Sequence, residues 1–474
     1  MADATDRRLA IRKIHPARII AGGFAGVIAM GTALLSLPTA TVNGTRIPLI
    51  DAMFTAVSAT CVTGLAVVDT GTVFSRFGQA VILACIQIGG LGLMTMTTVF
   101  LVAFGRRLAI TDRIAMQDSF HHTRDPQLGA LIKYIAAATF ATEGLGAAIL
   151  SIYWIATGRF ESPWTAVYHA VFHAVSAFCN AGFALYSDNL TGFQSDPVVL
   201  MVICGLIITG GLGFLVGLDV TTCLRQSFLL RFSPPGRREH AMPRLSLHSK
   251  LVLTGTAALL AAGMVSYYLL ERRALFARMG EFEAWLNAFF CSVTARTAGF
   301  NTIDYSDMSS PALLCTIVLM FIGASPGSTG GGIKTSTFVL LIAYAYSRWR
   351  GNEDLHVFNR RVPQETLDKA QSVVFAALAT FVLGGSALVG IEAGAMSPAA
   401  SHDQFLSLIF ETTSAMGTVG LSMGQTPLLS APGKLILMLL MFMGRIGPLT
   451  MALAISIRRT RSRFRYADEN VMVG

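Results

Sequence analysis

Eight long runs of apolar residues divide this sequence, and they constrain the fold more than any other feature. The runs cover residues 17–37, 73–104, 131–157, 197–218, 248–270, 311–346, 370–391 and 433–457. A helix that crosses the hydrocarbon core of a bilayer needs about 20 predominantly apolar residues. Because every run reaches this length, the sequence predicts an all-α membrane protein with eight transmembrane helices.

The composition agrees with a surface that faces lipid. Hydrophobic residues make up 53% of the 474 residues and charged residues only 13%, about half of the usual share. So few charges cannot cover a water-exposed surface, which argues against soluble, disordered and nucleic-acid-binding proteins despite a net charge of +9. The seven cysteines are scattered singly, so neither a disulfide framework nor a zinc site is expected. The polar start and the lack of a small-residue cleavage site indicate no removable signal peptide.

Basic residues are concentrated in alternate connections between the runs. Lys and Arg number five up to Arg18, five in 105–133, six in 219–250, five in 347–369 and five in 458–465, which is 26 of the 36 in the chain. Basic connections usually stay on the cytoplasmic side of a membrane. Both termini and every second loop are therefore expected in the cytoplasm.

A fourfold repeat underlies the eight runs. The other four connections each hold an apolar stretch of roughly 12–16 residues, too short to cross a membrane, followed by a segment of small residues. These glycine segments are Thr60–Leu65, Phe178–Phe183, Ala295–Phe300 and Met416–Leu421. Their shared glycines are separated by 118, 117 and 121 residues. A fixed period is the signature of internal repeats, here four copies of span, re-entrant pore helix, filter and span.

The period also sets the expected domain boundaries. Pore repeats 1 to 4 are expected at 17–104, 105–219, 220–347 and 348–457, and repeat 2 begins with a cytoplasmic linker. A cytoplasmic N-terminus at 1–16 and a cytoplasmic tail at 458–474 flank them.

The glycine segments predict a cation pathway. Non-helical backbone at membrane depth is tolerated only where it is buried in protein or lines a watery cavity. Four such segments that meet on a pseudo-fourfold axis can present rings of carbonyl oxygens that replace the water shell of a cation. The short helices would point their partially negative C-terminal ends at that axis. The fourth segment contains Thr418-Val419-Gly420, the triplet that opens the potassium-channel filter.

An aspartate follows the segment glycine in three repeats. Asp69, Asp188 and Asp304 lie five, six and five residues after it, whereas the fourth repeat has Ser422-Met423-Gly424 instead. Two interpretations stay open: the carboxylates concentrate cations at the outer mouth, or they cap the exit of the segment.

Glycine also interrupts the second span of each repeat. The breaks are Gly89–Gly92, Gly210–Gly213, Gly323–Gly332 and Gly444–Pro448. The third, the glycine loop, contains Gly323, Ser325, Pro326, Gly327, Ser328, Thr329, Gly330, Gly331 and Gly332. Such a stretch cannot hold a regular helix. It predicts an unwound loop inside the membrane, just below the filter, and a candidate gate for the pore.

Three cations inside the predicted spans and segments are candidate functional residues, because charges within the membrane are costly. Arg445 is expected to hydrogen-bond carbonyls of the glycine loop and to repel a passing cation. Lys334 either anchors the end of the loop or extends to the cytoplasm. Arg296 is expected to pair with an acidic residue such as Asp51 or Glu411. His169 and His173 are four residues apart, but no third ligand makes a zinc site.

Four motifs carry a resemblance to a known family. They are Val62-Thr63-Gly64-Leu65 with the following Val-Val-Asp-Thr-Gly, Thr294–Asn301, Gly330-Gly331-Gly332-Ile333-Lys334-Thr335 and Gly444-Arg445-Ile446-Gly447-Pro448-Leu449-Thr450. Over essentially the whole chain the sequence resembles the Trk/Ktr/HKT superfamily of potassium transporters. Because the first span starts near residue 17 and the tail is short, it is most similar to the KtrB type of membrane subunit.

The resemblance implies a homodimer in the bacterial inner membrane that takes up K+, in several members with a dependence on Na+. It also implies a cytosolic ring of KtrA-type nucleotide-binding subunits that senses ATP and ADP. The gate carries over to the glycine loop with Arg445. The filter carbonyls carry over to Val62, Thr63, Gly64, Asn180, Ala181, Gly182, Thr297, Ala298, Gly299, Thr418, Val419 and Gly420.

Two transport mechanisms stay open from the sequence. One is a channel-like pore, whose selectivity for K+ over Na+ should be weaker than in a strict potassium channel because no repeat has the full two-glycine filter. The other is a sodium- or proton-coupled secondary transporter, a class that also uses broken helices but usually in inverted repeats. An intramembrane enzyme would need a nucleophile and base or a metal triad, and neither pattern occurs, so no enzymatic activity is expected.

Overall fold

The computed structural model of the protein describes residues 16–92, 128–231, 245–394 and 398–447. Within these ranges the fold is helical apart from one pair of two-residue strands, β1 (His356–Val357) and β2 (Arg360–Arg361). Helices satisfy all backbone hydrogen bonds within one segment, as apolar surroundings require. The expected tail, most of the expected N-terminus and the first part of the linker in repeat 2 lie outside the described residues.

The helices fall into four similar sets of first helix, short helix and second helix. The first helices are α1 (Pro16–Leu35), α4 (Leu128–Ala156), α8 (Leu247–Glu271) and α12 (Gln364–Glu392). The short helices are α2 (Leu49–Thr60), α5 (Pro163–Phe178), α9 (Glu281–Thr294) and α13 (Pro398–Gly417). The second helices are α3 (Arg76–Gly90), the pair α6 (Pro197–Leu212) and α7 (Phe214–Arg231), the pair α10 (Ser310–Phe321) and α11 (Thr335–Trp349), and α14 (Ala431–Ile446).

Three helices in the described ranges are long and apolar enough to cross a membrane by themselves. They are Lys133–Ala156, Leu247–Glu271 and Gln364–Glu392. Pro197–Leu212 and Phe214–Phe228 make a fourth span if a pair bent by 100° counts as one broken helix. Each of the eight predicted runs contains a helix. In the other four runs the apolar helical segments within the described residues are shorter, as Ala21–Leu35 is in the first run, or interrupted, so eight spans remain a prediction.

Polar side chains fix where the second helices begin. Ser75, Asp196 and Ser430 accept hydrogen bonds from first-turn amides of α3, α6 and α14, which otherwise have no partner within the helix. In two repeats a carboxylate at the end of the first helix also binds the start of the second. Glu271 accepts from the Ser309 hydroxyl and Glu392 from the Ser430 hydroxyl, both at 2.6 Å. These contacts hold the two long helices of a repeat together around the short one.

Large apolar side chains cover the outside of the helices, and the packed core surrounds the short helices. Leu269, Phe375 and Leu383 are 69%, 71% and 72% exposed, which is typical of a surface that contacts lipid. In α2, eight of the twelve residues are buried. The short helices and the glycine segments at their ends therefore form the buried centre of the described part of the protein.

Candidate functional site

The glycine segments follow the C-terminal ends of the short helices and share an unusual backbone. The first residue of each predicted filter triplet is left-handed, with φ of 56° at Val62, 60° at Asn180, 71° at Thr297 and 49° at Thr418. The third residue is left-handed as well, with φ of 97° at Gly64, 70° at Gly182, 78° at Gly299 and 95° at Gly420. For a non-glycine residue this conformation costs about 1–3 kcal/mol. Its recurrence in all four repeats indicates that the surroundings impose it.

Hydrogen bonds to the short helices hold this strained backbone. The amide of the middle triplet residue donates to a carbonyl near the end of the helix: Thr63 to Ser58 at 2.8 Å, Ala181 to Ser176 at 2.7 Å, Ala298 to Thr294 at 3.0 Å and Val419 to Ser414 at 2.8 Å. The side-chain hydroxyls of the same four helix residues also form hydrogen bonds with the glycine segments. Those in repeats 1 and 4 accept from the segment glycine at 3.1 and 3.0 Å, and those in repeats 2 and 3 donate to the carbonyl after it at 2.8 and 2.5 Å.

Sequence reasoning missed these four hydroxyl residues. The available signal was a serine six positions before the segment glycine in repeats 1, 2 and 4. In repeat 3 a threonine takes this role one position later, at Thr294.

The four segment glycines follow one another around a closed ring. A Cβ atom added to Gly64 would lie less than 3.0 Å from the carbonyl oxygen of Ala181, and the same holds for Gly182 and Ala298, Gly299 and Val419, and Gly420 and Thr63. Side-chain atoms do not approach backbone oxygens so closely, so these positions require glycine. Each middle carbonyl therefore borders on the glycine of a neighbouring segment, and the four triplets surround one centre.

The second helices end at the predicted glycine breaks. The left-handed residues there are Gly92 (φ 73°), Gly213 (φ 89°) and Gly447 (φ 92°). Three other glycines pack on a carbonyl of the last or second-last residue of the short helix in the same repeat: Gly89 on Thr60, Gly210 on Phe178 and Gly444 on Met416. Close backbone packing beneath the glycine segments thus coincides with each break. Pro448, the last residue of the fourth break, lies outside the described residues.

The glycine loop is unwound between α10 and α11 and packs on the break of the second repeat. The amides of Ser325 and Thr329 donate to the carbonyls of Gly211 and Gly210 at 3.1 and 3.2 Å. The hydroxyl of Ser328 accepts from the Gly330 amide at 3.3 Å and closes the turn that follows Pro326 and Gly327.

The end of the loop reaches the glycine segments. The Cα atoms of Gly330 and Gly331 lie beside the hydroxyls of Thr297 and Thr418, since a Cβ atom at either glycine would collide with them. Both threonines are the left-handed first residues of their triplets. The loop therefore contacts the segments of the third and fourth repeats directly.

Two cations bind the backbone of the glycine loop. Near the end of α14, Arg445 donates through Nη1 to the carbonyl of Thr329 and through Nη2 to the carbonyl of Gly89 in the first repeat. Lys334 donates through Nζ to the carbonyl of Gly330 at 2.7 Å, which favours the anchoring interpretation of this lysine. Arg445 thus links the loop to the first and fourth repeats.

The expected pairing of Arg296 with a carboxylate is wrong. Its Nη2 donates to the hydroxyl of Thr335, the first residue of α11, at 2.6 Å and to the carbonyl of Gly323, the first residue of the glycine loop, at 3.5 Å. Asp51 pairs with Lys434 instead, at 2.8 Å. Glu411 accepts hydrogen bonds from Ser422, Met423 and Thr426. Arg296 lies two residues after the end of α9 and donates to the Gly323 carbonyl, which follows the end of α10 and has no partner in a helix. Asp51 lies in the first turn of its own short helix.

The family model of the TrkH cation transport proteins matches residues 17–464 of this chain. The chain belongs to the TrkH family. The family is described as one of cation transport proteins.

Two relatives of this TrkH-family chain match it from end to end. The Ktr system potassium uptake protein B of Bacillus subtilis is 38% identical over 464 residues, which cover 98% of this chain and 97% of the relative. The potassium/sodium uptake protein NtpJ of Enterococcus hirae is 35% identical, with 98% of both chains covered. The crystal structure of the potassium transporter TrkH from Vibrio parahaemolyticus superposes with a TM-score of 0.68 over 92% of this chain and 85% of that one, at 18% identity. That similarity supports the fold.

In this TrkH-family chain the three aspartates that follow the segments all cap local turns. Asp69 accepts from the amides of Gly71 and Thr72, both at 2.8 Å. Asp188 accepts from the Thr191 hydroxyl at 2.7 Å, and Asp304 from the Ser306 hydroxyl at 2.7 Å. Local capping is therefore present at all three. Asp188 and Asp304 are also exposed, so their charges still face solvent.

In the histidine pair of the second short helix, the ring of His173 is held by backbone contacts, whereas Nδ1 of His169 has no hydrogen-bond partner among the described residues. Nδ1 of His173 lies 2.7 Å from the carbonyl of His169, and Nε2 accepts from the Leu185 amide at 3.3 Å. Within the described ranges no group of three or more His, Cys, Asp or Glu side chains is placed to hold a metal ion. The expected cation ligands are instead backbone oxygens.

The ion pair between Asp51 and Lys434 joins the first and last repeats, and its loss should destabilise the protein. Both side chains are largely buried, at 14% and 13% exposure. Breaking such a pair leaves one uncompensated charge, so we expect Asp51→Asn to cost about 2 kcal/mol and to lower the thermal midpoint in detergent. Glu365→Gln, in the exposed Lys369–Glu365 pair, is the matched control and should leave the midpoint unchanged. A double variant, Asp51→Asn with Lys434→Gln, that is no more stable than Asp51→Asn would contradict the pairing argument.

Proposed function

We propose that this chain is the ion-translocating, channel-like subunit of a Ktr/Trk-type potassium uptake system. The observation that carries the proposal is the closed ring of four left-handed glycine segments at the ends of four short helices. The names of the full-length relatives, a Ktr potassium uptake protein B and a potassium/sodium uptake protein, support K+ as the cargo and Na+ as a second one.

The proposed selectivity filter is built from backbone. The carbonyls of Val62, Thr63 and Gly64 and of the equivalent triplets 180–182, 297–299 and 418–420 would form rings that replace the hydration shell of K+. The short helices end at these triplets, so their partially negative C-terminal ends favour a cation at the same centre. Four strained positions, each held by hydrogen bonds to its helix, keep the oxygens in place without a flexible side chain.

The proposed gate is the glycine loop with Arg445 and Lys334. The loop lies against Thr297 and Thr418 of the filter triplets, so an ion that leaves the filter on this side meets the loop first. Hydrogen bonds from Arg445 and Lys334 to loop carbonyls hold this obstructing position. Loss of these bonds would free the loop to move. At the opposite end of the filter, Asp69, Asp188 and Asp304 are proposed to raise the local cation concentration.

The proposed setting is the bacterial inner membrane, with eight spans, four re-entrant pore helices and both termini in the cytoplasm. The alternation of basic connections supports this orientation. The proposal includes a homodimer and a cytosolic KtrA-type ring that binds ATP and ADP, since relatives of the same length are named as parts of a Ktr system.

Competitive uptake of K+ and Na+ by the purified chain in liposomes tests the proposal, and Gly299→Ser supplies the matched variant. We expect wild-type uptake to prefer K+, and Gly299→Ser to shift the preference, because Gly299 has φ of 78° and borders on the Val419 carbonyl. Equal uptake of Li+, Na+ and K+ by the wild type would refute the filter. A flux with strict stoichiometry to Na+ or protons would favour the coupled transporter instead.

A further inference from the structure

A small cavity of about 20 Å³ lies behind the third glycine segment. Ile207 and Gly211 of the second repeat form one wall of the cavity. The third repeat forms the rest, with Thr256 and Leu260 from α8 and Arg296 from the glycine segment. Ala324 of the glycine loop completes the lining. A cavity of this size exceeds the roughly 10–15 Å³ that one water needs, so it has room for a single water or a single small ion.

Two polar groups on the cavity wall lack a protein partner. Nε of Arg296 has no hydrogen-bond partner within the described part of the chain, although the side chain is only 7% exposed. The hydroxyl of Thr256 is also unpartnered and buried. Threonines in helices usually donate to a carbonyl of the preceding turn, as Thr254 does to Lys250 at 2.8 Å. Thr256 does not, so its hydroxyl hydrogen is available to the cavity.

The charge at this site is uncompensated. No carboxylate lies within 4.0 Å of the Arg296 guanidinium among the described residues, where every ion pair involves other side chains. Two further cations, Lys334 and Arg445, bind carbonyls of the nearby glycine loop. A buried cation without a counter-charge is strongly unfavourable. A water in the cavity would satisfy the two hydrogen-bond donors but would leave this charge unbalanced.

We propose that the cavity binds one small monovalent anion of halide size, which accepts hydrogen bonds from Arg296 Nε and from the Thr256 hydroxyl. Such an anion would neutralise Arg296 where this residue binds Gly323, at the start of the glycine loop, and Thr335, at the start of the helix that follows the loop. The inference does not depend on which cation the protein transports.

Bromide substitution tests the site on the full-length chain. Crystals grown in potassium bromide should show one anomalous peak within hydrogen-bond distance of Arg296 Nε and Thr256 Oγ1. We expect bromide to raise the thermal midpoint relative to potassium gluconate at equal K+ concentration. Thr256→Val should raise the half-saturating bromide concentration about tenfold, the effect of losing one hydrogen bond to a charged group. Thr254→Val, two residues away and outside the cavity, is the matched control and should behave as the wild type.

Two results would overturn the proposal. One is an ordered water without anomalous signal at the site, or a bromide peak only elsewhere. The other is a halide dependence that is the same in Thr256→Val, Arg296→Gln and the wild type. If Arg296→Gln fails to fold, Thr256→Val and the wild-type crystals still decide. Failure of K+ uptake in liposomes would leave the bromide result unaffected, so the two proposals fail separately.

Discussion

Gly420→Ala should reduce K+ uptake into liposomes on the order of a hundredfold, because a methyl group there displaces a carbonyl oxygen of the proposed filter. Gly420 has φ of 95°. Its added Cβ atom would collide with the carbonyl oxygen of Thr63 and with the Cα atom of Gly64. These are backbone atoms of the first segment, which its own hydrogen bonds to α2 hold in place. The collision therefore cannot be relieved by rotating a side chain, and the ring must open at the junction of the first and fourth repeats.

Gly424→Ala is the control that separates ring closure from backbone strain. Gly424 is only four residues further along and is left-handed as well, with φ of 79°, but a Cβ atom there would meet nothing within 4 Å. Both variants bear a similar conformational penalty, on the order of 1 kcal/mol. Uptake of rubidium by monodisperse protein is the measurement. Wild-type uptake in Gly420→Ala, or an equally large loss in Gly424→Ala, would contradict the role given to the ring.

Much of this architecture can be predicted from sequence, because its determinants are local. Long apolar runs become helices, and glycine clusters end them at Gly90, Leu212 and Ile446. The period of the glycine segments can be recognised in the sequence without knowing which residues are in contact. Helix lengths are harder to predict from the apolar pattern. The fourth short helix spans 20 residues, because its first turns after Pro398 are helical although they are polar and lie outside the apolar stretch.

The partners of buried charges could not be predicted in the same way. Arg296 and Glu411 look like complementary charges in sequence, but the structure gives each a set of backbone and hydroxyl partners. Which groups a long side chain reaches depends on how the repeats pack, and sequence separation carries no information on that. The contact of Arg445 with the glycine loop can be predicted from sequence because two features indicate it. One is a charge inside a broken span, and the other is a loop whose carbonyls have no partner in a helix.

The contact between Arg445 and the glycine loop predicts a gain of function. Arg445→Ala should raise K+ flux about tenfold in liposomes that contain no regulatory subunit. The variant removes two hydrogen bonds from a charged donor, one to Thr329 in the glycine loop and one to Gly89 in the first repeat. Each such bond contributes roughly 1.5–3 kcal/mol, and a shift of about 1.4 kcal/mol toward the open loop already suffices for a tenfold change in its population.

A graded series makes this test specific. Arg445→Lys keeps the charge but cannot bind both carbonyls with one planar group, so its flux should fall between the wild type and Arg445→Ala. Leu439→Ala lies in the same helix with its side chain 53% exposed, and it should leave the flux unchanged. Equal flux in Arg445→Ala and the wild type would remove the gating role, whereas reduced flux in both Arg445 variants would mean that the arginine supports the open pathway. Because Lys334 still holds Gly330 in these variants, adding Lys334→Met to Arg445→Ala should raise the flux further, provided that both cations restrain the same loop.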